Sequence, residues 1–299
     1  MARPGGRSKA LWPTLALPGV AWLFVLFLIP LYVVLAIAFG TLDPIFRSPV
    51  PVWNPLQWNF SQAQYVLTHI VGANGFYGPP ILRTAEFVVI ASALCLLIAY
   101  PVAYYVARYG GKRRGLLLVL LIAPFWISYM MRMLAWVNLL QTDGWVNKAL
   151  SLGGLFPVDI NWLNGRPLTV LFGLVYGYVP YMILPLYAGL DRIQPSLLEA
   201  ARDLGASKWQ TFRRVTLPMS KPAIIAGLLI VSLPMVGDYF TNDLLSGSPN
   251  TAMFGNLINN AISSPETTAQ GATFVILMFV VLLAPMLYYV RSTRAEEGT

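Results

Sequence analysis

Six long apolar stretches, separated by polar segments, dominate the pattern of this sequence. Most hold close to the ~20 apolar residues that a helix needs to cross the hydrocarbon layer of a membrane. The predicted spans lie near residues 15–39, 84–107, 115–140, 168–190, 223–239 and 272–290. The pattern therefore predicts an all-α integral membrane protein, with residues 1–299 forming a single transmembrane domain. Prolines inside the stretches predict kinked helices rather than straight ones.

The composition agrees with a membrane protein. Of the 299 residues, 57% are hydrophobic and only 11% are charged, whereas a soluble domain carries roughly 25% charged residues. The net charge of +8 does not indicate nucleic-acid binding, because the charges fall at the ends of apolar runs. The only cysteine, Cys95, excludes a disulfide within the chain and a cysteine metal site. The first stretch is longer than the apolar core of a secretory signal, so we expect an uncleaved first span.

Lysine and arginine predict the orientation. Fifteen of these residues fall in the terminal segments and in the loops on one side, against three, Arg47, Lys148 and Arg166, on the other. Positive residues concentrate on the cytoplasmic side of membrane proteins. We therefore expect both termini, and the loop at 191–221, to be cytoplasmic.

The loop at 191–221 carries helix signals that a simple connection would not need. Ser196 and Glu199 have capping-box spacing, and Ser207 and Gln210 repeat it. Gly205 lies between the two boxes and can adopt the positive φ that ends a helix. We predict a short helix, a glycine turn, a second short helix and a stop at Pro218.

The same loop is amphipathic. Its apolar residues are Leu197, Leu198, Leu204, Trp209 and Phe212, and its polar residues are Arg202, Asp203, Lys208, Arg213 and Arg214. Such a shape suits docking into a groove on another protein. The alternative is a helix that lies on the lipid surface.

One part of this loop resembles a known family. Glu199-Ala200-Ala201, Gly205, Val215 and Leu217-Pro218 are similar to the EAA loop of permease subunits in ABC importers, with Val215 in place of isoleucine. The resemblance implies a six-span type I ABC importer permease bundle. It also implies that this loop is a cytoplasmic coupling helix, seated in a cleft of the ATP-hydrolysing subunit.

Few ionisable residues lie within the spans, and the orientation places them in the outer half: Glu86, Arg132, Asp238 and Asp243. Tyr129, Trp136, Tyr178, Tyr181 and Tyr239 lie at comparable depth. One interpretation is a polar pathway whose carboxylates attract a cation and whose rings hold ammonium groups. The alternative is internal pairing of Arg132 with Glu86 or Asp238, with the rings forming an interfacial belt.

Two strings narrow the resemblance to spermidine/putrescine-type permeases. They are the segment from Pro124 to Trp136 and the segment from Gly237 to Leu245. In the second, Asp238 stands where that family has glutamate, and Asn242 stands where it has proline. The candidate pathway residues are Glu86, Tyr129, Arg132, Trp136, Asp238, Tyr239 and Asp243.

The resemblance also implies the partners. They are a dimer of cytosolic ABC ATPases, a second homologous permease subunit, an extracytoplasmic substrate-binding protein and the lipid bilayer of a bacterial inner membrane. No phosphate-binding loop occurs in the sequence. We therefore expect no enzyme activity and no cofactor in this chain, with ATP and Mg bound by the partner ATPase. The alternatives are import of a different small solute or, less in keeping with the charges, a non-transporting membrane scaffold.

Overall fold

Most of the described residues are helical. The structure is a computed structural model that describes residues 8–71, 75–152 and 160–297. Its α-helices are α1 Ser8–Ala38, α2 Ser61–Val71, α3 Gly78–Tyr109, α4 Arg114–Ile122, α5 Tyr129–Leu140, α6 Trp145–Leu152, α7 Pro167–Asp191, α8 Pro195–Asp203, α9 Lys208–Thr211, α10 Leu217–Met219, α11 Lys221–Val236, α12 Phe240–Leu245, α13 Phe254–Ser263 and α14 Thr268–Glu297. Two short antiparallel strands, β1 Thr41–Leu42 and β2 Pro49–Val50, pair with Thr41 opposite Val50.

Within the described residues, four helices are long and apolar enough to cross a membrane: α1, α3, α7 and α14. Two further candidates are bent pairs, and the number of spans reaches six if each pair crosses as one. The third predicted span, 115–140, is such a pair, bent by 81° between Trp126 and Tyr129. Pro124 and the extended Ile127 and Ser128 interrupt the helix there, because a proline removes a backbone donor.

The fifth predicted span, 223–239, ends earlier than expected. Helix α11 stops at Val236, so Asp238 and Tyr239 lie in the turn that follows rather than in the helix. This turn separates α11 from the short helix α12. Asp238 therefore lies at a turn of the backbone and not on the face of a helix.

The described residues divide into two compact units. One comprises residues up to Phe76 together with Ile258–Val280. In this unit Trp58 donates its indole N–H to the carbonyl of Val52 at 2.9 Å, and its ring lies 5.1 Å from that of Phe39. In the hairpin, the backbone N–H groups of Ile45 and Phe46 donate to Asp43, which lowers the pKa of that carboxyl.

The other unit contains Tyr77–Leu257 and is built around α3 and α7. Ala91, Cys95, Ala99 and Ala103 recur every fourth residue along one face of α3, and all four are fully buried. Residues spaced by four lie on one helix face. Small side chains at these positions let two membrane helices approach closely, and larger residues of α7, α11 and Met253 complete the core.

Basic side chains tie the loops together at one end of this unit. Arg108, in the last turn of α3, donates to the carbonyls of Leu190 and Ile193 at 3.0 Å each. Leu190 lies in the last turn of α7 and Ile193 lies just after it, so these bonds fix the C-terminal end of that helix against α3. Arg114 forms an exposed ion pair with Asp191 at 3.1 Å. The segment that follows α7 therefore starts from a fixed end.

Of the four features predicted for the 191–221 loop, the structure contains two as predicted and differs at the other two. The capping box of Ser207 and Gln210 is present, and Gly205 has a φ of +86°. The predicted capping box at Ser196 and Glu199 is wrong. Helix α8 begins at Pro195, with no side-chain cap, because proline at the first turn already has a helical φ and lacks only a donor that would be unpaired there.

The predicted stop at Pro218 is also wrong in position. The chain forms a π-helical turn over Phe212–Thr216 and stays helical through α10. Pro218 lies in the first turn of α10, where its missing N–H costs little. The change of direction comes after Met219, where the chain bends by 60° into α11.

Candidate functional site

The carboxylate of Asp238 is the centre of a buried polar cluster. Its side chain is 6% exposed. One oxygen, Oδ1, accepts the backbone N–H of Thr241 at 3.0 Å, and Oδ2 accepts the Thr241 hydroxyl at 2.8 Å. A carboxylate that accepts the N–H three residues ahead satisfies a free donor at a helix start. Asp238 lies one residue before the N-cap Tyr239, and it supplies this acceptor to the first turn of α12, which holds its side chain in place.

Two tyrosines complete the cluster from other helices. The Tyr129 hydroxyl, from the first residue of α5, donates to Oδ2 of Asp238 at 2.8 Å. The Tyr178 hydroxyl, from α7, donates to the same oxygen at 3.1 Å. The two rings lie 5.9 Å apart. The breaks before α5 and after α11 therefore bring residues of three chain segments to one carboxylate.

Asp238 is hydrogen-bonded, but no ion pair neutralises its charge in the part of the chain that the structure describes. Hydroxyl and amide donors stabilise a carboxylate, and burial still disfavours its negative charge. Among the described residues, no ion pair includes Asp238. The same residues hold no group of three or more His, Cys, Asp or Glu that could bind a metal. The cluster is suited to a cation that hydrogen-bonds to an oxygen and contacts aromatic rings.

A close contact at Gly177 positions the Tyr129 ring. A β-carbon added at Gly177 would lie 2.5 Å from Cε2 of Tyr129, closer than two carbon atoms can pack. We expect Gly177→Ala to displace the ring from Asp238 and to lower the melting temperature of the purified transporter by several degrees. Gly115→Ala is the matched control, because nothing lies within 4 Å of its added carbon. Equal melting temperatures for the two variants would contradict this assignment.

Arg132 does not form the ion pair that the sequence suggested with Glu86 or Asp238. Its guanidinium carbon lies 4.4 Å from the centroid of the Phe125 ring and 5.5 Å from that of Tyr129. Among the described residues, no ion pair includes it. The internal pairing is therefore wrong for this residue, because the bend before α5 turns its side chain onto aromatic rings.

The remaining candidates make no described hydrogen bond to the Asp238 carboxylate. Glu86 is exposed on α3, and Trp136 packs edge-on against Phe172 at 4.5 Å in the wall of a separate apolar cavity. Asp243 is exposed and accepts a hydrogen bond from Asn256 Nδ2 at 2.6 Å. Tyr239 is half-buried, and its carbonyl accepts from the same amide at 3.2 Å. A pathway role for these four residues stays a prediction.

Sequence reasoning missed Thr241 and Asn256. The signal for Thr241 was available, since an aspartate three residues before it has the spacing of a helix cap. Asn256 had no such signal, because it reaches Asp243 and Tyr239 from a different helix, α13.

The second candidate site is the surface formed by α8 and α9. Here Leu204 is 90% exposed and Trp209 is 67% exposed, which is unusual for large apolar side chains outside a membrane or an interface. Glu199 is exposed on α8 as well. The apolar set predicted for this loop is therefore divided, because Leu198 instead packs against the core.

Buried contacts attach this surface to α3. The Phe212 ring packs edge-on between the rings of Tyr100 and Tyr104, at 5.9 and 5.8 Å. The Tyr100 hydroxyl hydrogen-bonds to the Ser220 hydroxyl at 2.9 Å, and Ser220 is fully buried. A force on the exposed surface would therefore reach a membrane-length helix through packed rings rather than through a loose loop.

Membrane-length helices around a buried carboxylate, with a rigidly attached helical loop, define a polytopic membrane protein of the transport class. Comparison with known sequences gives the family. Residues 99–294 match the family described as "Binding-protein-dependent transport system inner membrane component", and the chain belongs to this family.

Characterised relatives cover most of the chain. "Spermidine/putrescine transport system permease protein PotB" of Escherichia coli (strain K12) is 38% identical over 218 residues, covering 73% of this chain and 78% of that protein. The protein of the same name from Haemophilus influenzae is 34% identical over 276 residues, covering 92% of this chain and 91% of that protein.

Solved structures support the fold. A chain of the bacterial alginate ABC transporter, in complex with an alginate pentasaccharide-bound periplasmic protein, superposes with a TM-score of 0.67. The match covers 97% of this chain and 95% of that chain, at 22% sequence identity. The likeness establishes the type I importer permease fold. It carries no information on the solute.

Proposed function

We propose that this chain is one of two permease subunits of an ATP-driven polyamine importer, and that Asp238 binds an ammonium group of the solute. Spermidine and putrescine are flexible cations whose charges lie on ammonium groups. The relatives named above are spermidine/putrescine permeases. Their names suggest the solute, and the chemistry of the Asp238 cluster agrees with it.

The observation that carries the proposal is the uncompensated carboxylate of Asp238. A buried carboxylate without a cation is costly, so it is retained where a cation arrives during function. The hydroxyls of Tyr129 and Tyr178 converge on one oxygen, which orients the carboxylate. Their ring faces offer additional attraction to an ammonium group. Two breaks in the helices provide the irregular backbone that transport sites often use.

The surface of α8 and α9 is proposed as the coupling helix region. Its exposed Leu204 and Trp209 supply apolar side chains for a groove on the ATPase. Binding and hydrolysis of ATP, with its Mg ion, would take place in that partner subunit. Closure of the ATPase dimer would move this surface, and the buried contacts to α3 would pass the movement to the membrane helices.

The proposal includes a location and a topology. The chain is a component of the bacterial inner membrane, with both termini and the coupling region in the cytoplasm. The charge bias of the sequence supports this orientation. The hydrogen bonds from Arg108 to the carbonyls of Leu190 and Ile193 also support it, because they join the basic loop after α3 to the basic loop after α7. Arg3 and Arg7, which contribute to that bias, lie outside the described residues.

Uptake of labelled spermidine and putrescine tests the proposal. The host cells lack their own polyamine importers and express this chain with its ATPase, second permease and binding protein. We expect uptake that requires all four components and that disappears when this chain is omitted. Competition with unlabelled polyamines would then rank the two substrates.

A complex that assembles and hydrolyses ATP but takes up neither polyamine would contradict the substrate assignment. It would leave the chain as an import permease for another small solute. Assembly without any stimulation of the ATPase would instead favour a non-transporting scaffold. The two failures are distinguishable because ATP hydrolysis and uptake are measured on the same preparation.

A further inference from the structure

A cavity of about 380 Å³ lies beside the bend between α4 and α5. Its wall comes from α3, α7 and the segment at the bend, and includes Ile98, Phe125, Phe172 and Val179. The lining is almost wholly apolar. The one charged side chain in it is Arg132.

Arg132 lacks an anion. Its side chain is 6% exposed, and its Nε atom is buried without a hydrogen-bond partner. The rings of Phe125 and Tyr129 attract the guanidinium through their faces. Ring faces carry no net charge, however, so the positive charge stays uncompensated in an apolar environment, which is costly.

Two carboxylates of this chain, Asp238 and Glu86, were candidates to pair with Arg132, and neither does so among the described residues. Asp238 accepts hydrogen bonds from the hydroxyls of Tyr129, Tyr178 and Thr241, and it forms no described ion pair with Arg132. Glu86 points to the exposed face of α3 and likewise forms no described ion pair. No described carboxylate lies within ion-pair distance of Arg132, so its guanidinium is available to an anion from outside the described chain.

The lining indicates which kind of anion fits. A guanidinium presents a planar fork of donors that matches the oxygens of a phosphate or a carboxylate. The apolar wall around it suits a hydrocarbon chain rather than a polar solute. A cavity with one guanidinium and an apolar wall therefore fits an anionic head group joined to a hydrocarbon chain.

We propose that this cavity binds an anionic amphiphile, with its phosphate or carboxylate head group on Arg132 and its hydrocarbon chain along Ile98, Phe172 and Val179. The bound molecule would hold the guanidinium against the Tyr129 ring. Since the Tyr129 hydroxyl donates to Asp238, occupancy of the cavity also steadies the Asp238 cluster. The binding itself does not depend on which solute the transporter carries.

The test uses the complete transporter, purified with its partner subunits and stripped of lipid in detergent. Phosphatidylglycerol, oleate and the zwitterionic phosphatidylcholine are titrated separately, and bound molecules are counted by native mass spectrometry. We expect half-occupancy at about tenfold lower concentration for an anionic amphiphile than for phosphatidylcholine, from one charge-assisted interaction. Arg132→Met should abolish this preference, and Arg132→Lys should retain part of it.

Arg114→Met is the matched control, because Arg114 pairs with Asp191 on an exposed surface. It should keep the preference. Val179→Phe fills the cavity without touching the charge and should also weaken binding, which covers the case in which Arg132→Met fails to assemble. Preference for phosphatidylglycerol alone would identify a phosphate head group, and preference for oleate alone a carboxylate.

Equal binding of anionic and zwitterionic molecules by the wild-type transporter would overturn the proposal. That result is expected if a carboxylate of the second permease subunit pairs with Arg132 instead. An unchanged preference in Arg132→Met, or full binding in Val179→Phe, would overturn it as well.

Discussion

Asp238→Asn is expected to reduce the kcat/KM of polyamine uptake by roughly 100-fold. The asparagine could not form the buried ion pair that we propose between Asp238 and an ammonium group of the solute, and losing one charge of such a pair costs about 3 kcal/mol. The substitution is nearly isosteric. Asparagine also caps helices as well as aspartate, so the contact with the Thr241 N–H that starts α12 is retained. The change therefore removes the negative charge and keeps this backbone contact, while the three hydroxyls that donate to Oδ2 must reorient to accept from the amide. Initial rates of spermidine uptake at several concentrations give the ratio.

Two further variants separate the effect of the Asp238 charge from other effects. Asp143→Asn removes a carboxylate from an exposed loop position and should leave uptake unchanged. Tyr129→Phe removes one of the four hydrogen bonds to Asp238 and the contact of the same hydroxyl with Thr241 Oγ1. It should cost about fivefold or more, the effect of one hydrogen bond to a charged group being the lower bound. If Asp238→Asn transports at the wild-type rate in a fully assembled complex, the side chain serves only to hold the first turn of α12.

Gly205→Val is expected to lower ATP-driven uptake by about tenfold or more while the complex still inserts into the membrane. A β-branched residue at a φ of +86° is strained by roughly 1–2 kcal/mol. No atom lies within 4 Å of the added β-carbon, so the effect comes from the backbone and not from a clash. The altered turn would misalign α8 and α9, and with them the surface offered to the ATPase. Uptake and ATP hydrolysis, measured on the same proteoliposomes, give the degree of coupling.

Gly111→Val is a closely matched control for this prediction. Gly111 also has a positive φ, +48°, and open space around an added β-carbon, yet it lies in a different loop. It should lose similar stability and keep its coupling. Gly205→Asn should recover much of the uptake, because asparagine tolerates positive φ. Equal ratios of uptake to ATP hydrolysis in the two valine variants would show that the glycine turn has no specific part in coupling.

The predicted capping boxes illustrate how far local sequence reasoning reaches. The box at Ser207 formed because both of its partners lie within one turn and nothing else competes for them. The box at Ser196 did not, because Pro195 offers an alternative start for the same helix. Local signals thus predicted that helices exist in this loop. The exact start of α8 depended on the fixed φ of one residue, Pro195.

The sequence shows a stripe of small residues on one face of the second predicted span: Ala91, Cys95, Ala99 and Ala103. Its spacing alone marks the face of α3 that a second helix can approach. Which helix packs there is a different matter, since α7 and α11 both offer apolar surfaces. The Cys95 thiol answers it, since it donates to the carbonyl of Val175 in α7 at 3.8 Å.

The sequence by itself determined the membrane class, the approximate positions of the apolar spans and the amphipathic loop with its glycine turn. These properties follow from hydrophobicity, charge and backbone preference, which act over a few residues. Only the tertiary structure decided that Asp238 meets Tyr129 and Tyr178, and that Arg132 packs on aromatic rings without a carboxylate. Both outcomes depend on where two helices break and on the direction in which the next helices leave, and those angles arise from packing between distant segments of the chain.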